Sequence, residues 1–284
     1  MSNVPGVLYP QEPGLARLLA PNPSPYTHEG TWVHLIGDRE LAIIDPGPDL
    51  SRLVEAMLAA IDGRPVAAIL ITHTHRDHSP AARALKAATG APVVGCAPLD
   101  IDSLSGAEAS FDHDYAPDRV LADGESFMVD GHRLTALHTP GHTSNHLCFA
   151  DDERGIVFTG DHVMGWSTSV VVPPDGSMGA YLRSLDKLRQ RTGDRIYYPA
   201  HGPAVPDPQR LVRGIMSHRM QRERQLVRLL EDGSSTISEL AEAAYPALDA
   251  RLLPAARGSV WAHLVDLEER GLVQHENEQW TLTA

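Results

Sequence analysis

The stretch ILITHTHRDHSPAA, residues 69–82, places four metal-binding side chains directly after an apolar run. They are three imidazoles and one carboxylate, and they belong to His73, His75, His78 and Asp77. In an extended segment, side chains two positions apart point to the same side, so His73 and His75 face one point. Asp77 and His78 come just before a predicted helix and can face that point from its other side. The stretch therefore predicts a metal site at the end of a strand.

Three later strand ends supply further ligands, as a two-metal hydrolytic site requires. Each ligand follows an apolar run and stands beside Gly or Pro. They are His142 in HTPGHTSNH (138–146), Asp161 in FTGDH (158–162) and His201 in YYPAHG (197–202). Ligands at several strand ends indicate one centre at the edge of a sheet.

The order of elements indicates a mixed α/β (α+β) chain. Apolar residues at helical spacing predict helices over 51–61, 80–90 and 179–191. Ser79 is predicted to cap the second of these helices, with Pro80 in its first turn. Strands between the helices, some at hairpin spacing, predict two sheets with helices outside them.

After residue 207 the sequence becomes helical and rich in arginine. Thr236 and Glu239 have capping-box spacing, a further helix is predicted over 256–271, and a hairpin turn is expected at 276–278. Three helices and a hairpin predict a small winged-helix-like domain. The predicted domains are 1–208, the catalytic part, and 209–284, the winged-helix-like part.

The composition restricts the classes of protein and of partner. The 284 residues are 42% hydrophobic and carry a net charge of −13, so a polyanion is repelled unless a basic patch or a metal offsets that charge. No apolar run is long enough to span a membrane, and the N-terminus lacks the pattern of a secretory signal. With only Cys96 and Cys148 as thiols, we expect a cytoplasmic protein without a disulfide or membrane partner.

The motifs THTHRDH, TPGHT, Gly160–Asp161 and AHG together resemble those of the metallo-β-lactamase-fold hydrolases. The resemblance covers roughly residues 25–205. It implies an αββα sandwich that carries its metals at one edge of the sheets.

The resemblance also implies two zinc ions and a divided ligand set. His73, His75 and His142 would bind the first ion, Asp77, His78 and His201 the second, and Asp161 would bridge them. Asp45 matches the position that braces the histidine loop without binding metal. A hydroxide bridging the zinc ions would attack the substrate, with Asp77 orienting it. Mn²⁺ and Fe²⁺ accept the same ligands.

Two C-terminal stretches, 165–188 and 217–233, resemble the β-lactamase-like endoribonucleases, which carry a winged-helix-like extension. This resemblance implies a phosphodiester substrate, single-stranded RNA. Residues 207–228 contain six arginines against Asp207 and Glu223, so an RNA backbone could follow this positive segment. The alternative is a solvated, salt-bridged helix face.

Other activities fit the same motifs. TPGHTS also resembles the corresponding turn of glyoxalase II, which implies a thioester or lactone hydrolase. A mononuclear iron persulfide dioxygenase would use only His73, His75 and Asp161, and a non-catalytic metal-dependent regulator would act through its winged helix. The complete ligand set argues against these last two. The absence of a cysteine ligand and the presence of Asp161 argue against an antibiotic-hydrolysing lactamase.

The sequence restricts the possible binding partners less than it restricts the fold. The helix at 256–271 carries Asp266, Glu268 and Glu269, so we expect no binding of duplex DNA. A cap over the active site or a homodimer contact is the expected role of the C-terminal domain. The residues expected to contact substrate are Ser144, Asn145, Ser167 and Thr168.

Overall fold

The computed structural model describes residues 3–100 and 110–283, which form two compact units. The first unit comprises Met1–Thr139, Asn145–Ser167 and Gly193–Pro208. The second comprises Pro140–Ser144, Thr168–Thr192 and Gln209–Ala284. The second unit thus contains two segments upstream of the boundary predicted at 208/209.

The first unit contains two sheets of seven and five strands. The seven-stranded sheet has β1 (Leu8–Glu12), β2 (Leu15–Leu19), β3 (Trp32–Ile36), β4 (Leu41–Ile44), β5 (Val66–Ile71), β6 (Val93–Gly95) and β7 (Arg119–Val120), in sequence order. The five-stranded sheet has β8 (Ser126–Val129), β9 (His132–His138), β10 (Leu147–Asp151), β11 (Ile156–Gly160) and β12 (Ile196–Pro199), also in sequence order.

Each sheet changes from antiparallel to parallel pairing where the candidate ligands occur. Strands β4 and β5 pair in parallel, so Asp45 and Thr72, which directly follow them, lie at the same edge. Strands β11 and β12 also pair in parallel, which brings Asp161 and His201 beyond their carboxyl ends. Parallel pairing therefore explains why ligands distant in sequence collect at one edge of each sheet.

The two sheets of this unit share one hydrophobic core. Buried residues of the seven-stranded sheet, such as Ile43 and Leu70, belong to the same cluster as Phe149 and Phe158 of the five-stranded sheet. Helices α1 (Ser51–Ile61) and α2 (Ala82–Thr89) contribute further apolar side chains to it. Two sheets with a common apolar core leave their strand ends free to carry polar groups.

The predicted cap of α2 is wrong. The helix begins at Ala82, and Ala81 is its N-cap, without a side-chain hydrogen bond. The Ser79 hydroxyl instead donates to Asp112 at 2.8 Å. Ser79 thus forms a tertiary hydrogen bond, which fixes the loop after the histidines, instead of the local cap that its position suggested.

The second unit contains the C-terminal helices and the hairpin. Its elements are α3 (Met178–Arg189), α4 (Pro208–Glu231), α5 (Ile237–Ala244), a short 3₁₀ helix (Ala250–Leu252), α6 (Leu253–Glu269), β13 (Val273–Glu276) and β14 (Gln279–Leu282). Leu226, Leu240, Leu264 and Trp280 belong to its hydrophobic core. The predicted helices and hairpin are confirmed, although α6 begins three residues earlier than predicted. Within the described ranges, none of the helices combines the length and the apolar character that crossing a bilayer requires.

The capping box at the start of α5 yields a stability prediction. The Thr236 hydroxyl accepts from the Glu239 amide, and the Glu239 carboxylate accepts from the Thr236 amide. Thr236→Ala removes the first bond, so we expect the free energy of unfolding to fall by about 1 kcal/mol. Urea unfolding measures this. Thr283→Ala, at the exposed end of the chain, is the control, and equal midpoints for the two variants would contradict the prediction.

Candidate metal centre

Asp45 is the group around which the histidine loop is arranged. It is buried, directly follows β4 and has a left-handed backbone with φ of 49°. Its carboxylate accepts from the amide of Thr72 at 2.9 Å, from the Thr72 hydroxyl at 2.7 Å and from Nδ1 of His78 at 3.0 Å. Since a carboxylate only accepts, His78 carries its proton on Nδ1, and its Nε2 is directed elsewhere.

The Nε2 atoms of His78 and His201 approach the same two carboxylates. From His78, the distances are 3.4 Å to Asp77 and 3.6 Å to Asp161. From His201, both distances are 3.2 Å. The His201 ring is oriented by Gly30, whose carbonyl accepts from its Nδ1 at 3.2 Å.

These distances fit a metal ion bound by Asp77, His78 and His201, whose ligand atoms all lie within 4.8 Å of one another, while Asp161 approaches both imidazoles. With metal–ligand bonds of about 2.0–2.2 Å, the edges of a tetrahedron are about 3.4 Å long. The four separations, from 3.2 to 3.6 Å, lie around that length. Nε2 of His78 is fully buried, and the described residues offer it no hydrogen-bond partner. A cation between these atoms would satisfy it.

Without metal, the charges of this cluster stabilise one another. Burial opposes a charge on Asp77 and on Asp161, but the neighbouring His78 and His201 hold the pKa of both carboxyls well below the usual range. Burial lowers the pKa of His201, yet Asp161 and Asp77 outweigh it and raise that pKa to about 10. The same carboxylates raise the pKa of His78 above its ordinary value against the effect of burial. In the metal-free protein, protons on the two imidazoles therefore balance the two carboxylates.

His73 and His75 provide a second pair of converging nitrogens. Nε2 of His73 lies 3.0 Å from Nδ1 of His75. The Thr72 hydroxyl donates to Asp45, so its oxygen accepts from Nδ1 of His73 at 3.0 Å. Asp45 thus orients His78 directly and His73 through Thr72. Ligand atoms of Asp45, His73 and His78 also lie within 4.8 Å of one another, but three donors already engage the Asp45 carboxylate, which fits a brace better than a ligand.

Two residues position Asp161: His146, which accepts a hydrogen bond from its backbone amide, and Gly160, which directly precedes it. Its amide donates to Nε2 of His146 at 3.2 Å, while Nδ1 of His146 lies 2.9 Å from the Thr139 hydroxyl. Gly160 has φ of 49°, and a Cβ there would lie 2.7 Å from Nε2 of His146 and 2.8 Å from the Thr72 hydroxyl. Only glycine allows this approach. In the sequence, His146 lies four residues after His142. This spacing does not distinguish a residue that binds the Asp161 amide from one that only packs in a strand.

His142 belongs to the second compact unit. Its Nδ1 donates to the carbonyl of Val170 at 2.5 Å. In a neutral imidazole, an acceptor on Nδ1 leaves Nε2 with a lone pair. Its assignment to the first metal, like the whole predicted ligand set, remains a prediction.

The four predicted substrate contacts differ in their surroundings. Asn145 is buried, and its amide donates to the Ala97 carbonyl at 2.7 Å, a bond that favours a structural role. The Ser144 hydroxyl donates to Asp175 at 2.5 Å. Ser167 is exposed and Thr168 is partly buried. Contact of any of the four with substrate remains a prediction.

Comparison with known proteins identifies both parts of the chain. Residues 26–201 match the model of the metallo-beta-lactamase superfamily, and residues 236–280 match that of the beta-lactamase associated winged helix domain. Two solved structures are similar over nearly the whole chain. A beta-lactamase domain protein from Burkholderia ambifaria has a TM-score of 0.83 at 17% identity, covering 99% of this chain and 95% of that one. A metallo-beta-lactamase family protein from Thermus thermophilus has a TM-score of 0.77 at 24% identity, covering 96% and 99%. The predicted αββα sandwich followed by a small winged-helix domain is confirmed.

The curated relatives include thioesterases. An atrochrysone carboxyl ACP thioesterase of Aspergillus chevalieri is 32% identical over 82% of this chain and 73% of its own length. One of Aspergillus fumigatus is 31% identical over 89% of this chain and 76% of its own length. The lactamase-like protein ptaB of Pestalotiopsis fici is 28% identical over 96% of this chain and 84% of its own length.

The brace made by Asp45 predicts the effect of a neutral replacement. Asp45→Asn keeps the shape but removes the charge and one acceptor, so His78 and Thr72 lose their fixed orientation. We expect metal affinity to fall about 10- to 100-fold, the usual effect of altering a group that orients a ligand. Competition with a chromophoric chelator measures it, with Asp49→Asn, at an exposed position, as control. Parent-like affinity in Asp45→Asn would show that the brace is dispensable.

The raised pKa of His201 predicts how pH affects the metal-free protein. A group whose pKa is raised by folding stabilises fully below its unfolded value, about 6.5, and loses this contribution as the pH rises through its folded value, here about 10. The stability difference between the parent and His201→Gln should therefore shrink from pH 6.5 to pH 10. Urea unfolding in excess chelator measures it. A difference that grows with pH would contradict the charge balance described above.

Proposed function

Because the chain belongs to the metallo-beta-lactamase superfamily and is one of its metal-dependent hydrolases, we propose that it hydrolyses acyl thioesters with two zinc ions. The observation that carries this proposal is the identity of 31–32% to relatives named as ACP thioesterases, along more than four-fifths of the chain. Thioester hydrolysis was the alternative in the sequence analysis, and these relatives favour it over cleavage of RNA.

The metal-binding part of the proposal rests on the geometry of the first unit. When bound, a pair of divalent ions polarises a carbonyl oxygen and lowers the pKa of a water from 15.7 towards about 7. The ligand atoms of Asp77, His78 and His201 converge as one such ion requires, with Asp161 near both imidazoles, and His73 with His75 presents nitrogens for another.

Asp77 is the residue of this cluster best placed to touch a nucleophile. Its side chain is 28% exposed, against 10% for Asp161 and 1% for His201. Its pKa is held well below the usual range, so it is ionised at neutral pH. An ionised, partly exposed carboxylate can accept a hydrogen bond from the attacking water and orient it towards the carbonyl carbon.

The leaving group of a thioester is a thiolate, which does not need a general acid at the site to protonate it. A thiol has a pKa of about 8.5, far lower than that of an alcohol, so it departs as a thiolate with little help from protonation. The carboxylates at this site are both held in the ionised form. Neither is therefore available as a proton donor, and a thioester makes the least demand for one.

The arginines of α4 lend less support to RNA than their number indicates. Arg219 is buried, with only 3% of its surface exposed. Arg222 donates to the carbonyl of Ala244, and its guanidinium lies 3.8 Å from the Tyr245 ring centre. Two of the six arginines predicted to follow a phosphate backbone are thus engaged inside the second unit.

The proposal is tested by offering both substrate classes to the same zinc-loaded preparation. An S-acyl N-acetylcysteamine and an acyl-loaded carrier protein represent thioesters, and a labelled single-stranded RNA represents phosphodiesters. We expect release of free thiol, lost in chelator and restored by Zn²⁺, and no cutting of RNA. RNA cleavage without thiol release would overturn the thioester assignment and restore the ribonuclease alternative.

Asp77→Ala separates the chemistry from the fold. We expect the variant to lose metal-dependent thiol release by at least about 100-fold, the range found for a group that assists proton transfer, while its circular dichroism stays that of the parent. Asp49→Ala, at an exposed position, should retain parental activity. Full activity in Asp77→Ala would exclude the role given to this carboxylate.

A further inference from the structure

We propose that Arg219 of α4 is a positioning residue for the predicted metal ligand His142, and that it acts through the backbone of Ser169 and Val170. The inference rests on the metal-dependent function proposed above. It gives the second unit a role in metal binding that neither the family nor the names of the relatives indicate.

The chain of contacts begins at His142. Its Nδ1 lies 2.5 Å from the carbonyl oxygen of Val170. A carbonyl oxygen accepts only, so this bond fixes the tautomer with the proton on Nδ1 and the lone pair on Nε2. The direction of that lone pair depends on the orientation of the Val170 carbonyl.

The neighbouring carbonyl, that of Ser169, accepts from Nη2 of Arg219. Nη1 of the same guanidinium donates to the Ser259 hydroxyl in α6 at 3.0 Å, and its carbon lies 5.5 Å from the ring centre of Tyr181. The carbonyls of Ser169 and Val170 belong to consecutive peptide units. A rotation that releases one therefore tilts the other, so Arg219 and His142 act on the same short piece of backbone.

The rest of the segment from 168 to 177 is fixed to the same unit. The Asp175 carboxylate accepts from the amide and the hydroxyl of Ser144 at 2.9 and 2.5 Å, and the amide of Ser177 donates to the carbonyl of Gly141 at 2.9 Å. These bonds join the segment to residues 140–144, the turn that carries His142. Arg219 joins the segment to α4 through its hydrogen bond to the Ser169 carbonyl.

The turn itself leaves no room for adjustment. Gly141 has φ of 143°, and a Cβ there would lie 2.3 Å from Cα of Tyr181. Within the segment, Val172 packs closely on α6, since a Cβ on Gly258 would lie 2.5 Å from the side chain of Val172. These two close contacts limit how far the turn and the segment can shift, and Arg219 restrains the orientation of the two carbonyls.

The electrostatics explain why a buried guanidinium restrains the segment strongly. No carboxylate of the described residues lies within salt-bridge distance of Arg219, so its charge is stabilised by the Ser169 carbonyl, the Ser259 hydroxyl and the face of Tyr181. Burial, together with the nearby charges of Arg219 and Arg222, lowers the pKa of His263 to about 3, so this imidazole adds no competing charge. Hydrogen bonds from a buried cation are stronger than neutral ones. Removing Arg219 also leaves the Ser169 carbonyl without this donor.

The test compares metal affinities in full-length protein. The variants are Arg219→Met, which keeps length but not the donors, and Arg219→Lys, which keeps the charge but has a single donor nitrogen. Arg213→Met, at an exposed position of the same helix, is the matched control. We expect Arg219→Met to weaken Zn²⁺ binding about 10- to 100-fold. Arg219→Lys should fall between it and the parent, because one ammonium cannot bond as the two guanidinium nitrogens do. Arg213→Met should bind like the parent.

A second readout distinguishes positioning from general support of the fold. In the metal-free protein, long-range ¹⁵N–¹H spectra should show His142 with its proton on Nδ1, and the Arg219 variants should show a mixture of the two tautomers. Circular dichroism verifies that each variant is folded. If Arg219→Met does not fold, Arg219→Lys decides the matter by the same two measurements.

His142→Ala separates this inference from the proposal beneath it. If His142→Ala weakens Zn²⁺ binding while both Arg219 variants bind like the parent and keep the tautomer, the positioning role is wrong and the metal site stands. If His142→Ala itself binds Zn²⁺ like the parent, His142 is no ligand, and the metal site as proposed fails together with the inference.

Discussion

Burying the carboxylate of Asp45 is the constraint from which the geometry of the candidate site follows. A buried carboxylate must be satisfied by donors, and here the donors are the amide and hydroxyl of Thr72 and Nδ1 of His78. Each of these bonds sets the orientation of something else. The hydroxyl of Thr72 orients His73, and the bond to His78 turns Nε2 towards Asp77 and Asp161. One negative charge thus determines the direction of nitrogens on either side of it.

Much of this arrangement could be predicted from the sequence, because the signals are local. Ligands after apolar strands, the capping box of Thr236 and the helices and hairpin of the C-terminal part follow from spacing and periodicity. The role of His146 could not be predicted, since its bond to the Asp161 amide depends on how β10 and β11 pair. The cap assigned to Ser79 failed for a similar reason: its hydroxyl is drawn to Asp112, 33 positions along the chain.

The substrate is where the sequence was least informative, and the arginines of α4 show why. A count of charges along a segment does not reveal which of them face solvent. Arg219 lies buried against Tyr181, and Arg222 bonds to the end of α5. Their spacing on the helix is compatible with either a basic surface or an internal contact. The decision depends on partners from other elements, so it required the fold, and the relatives then shifted the preferred substrate from a phosphodiester to a thioester.

The paired protons on His78 and His201 have a bearing on how the site acquires its metal. They already counter the charges of Asp77 and Asp161 at separations close to the edges of a coordination tetrahedron. A divalent cation that binds here would therefore displace these two protons, which would be released to the solvent. Metal binding would then exchange two protons for one divalent cation at this position. Acid would reverse that exchange, because the two imidazoles would take up protons again and release the metal.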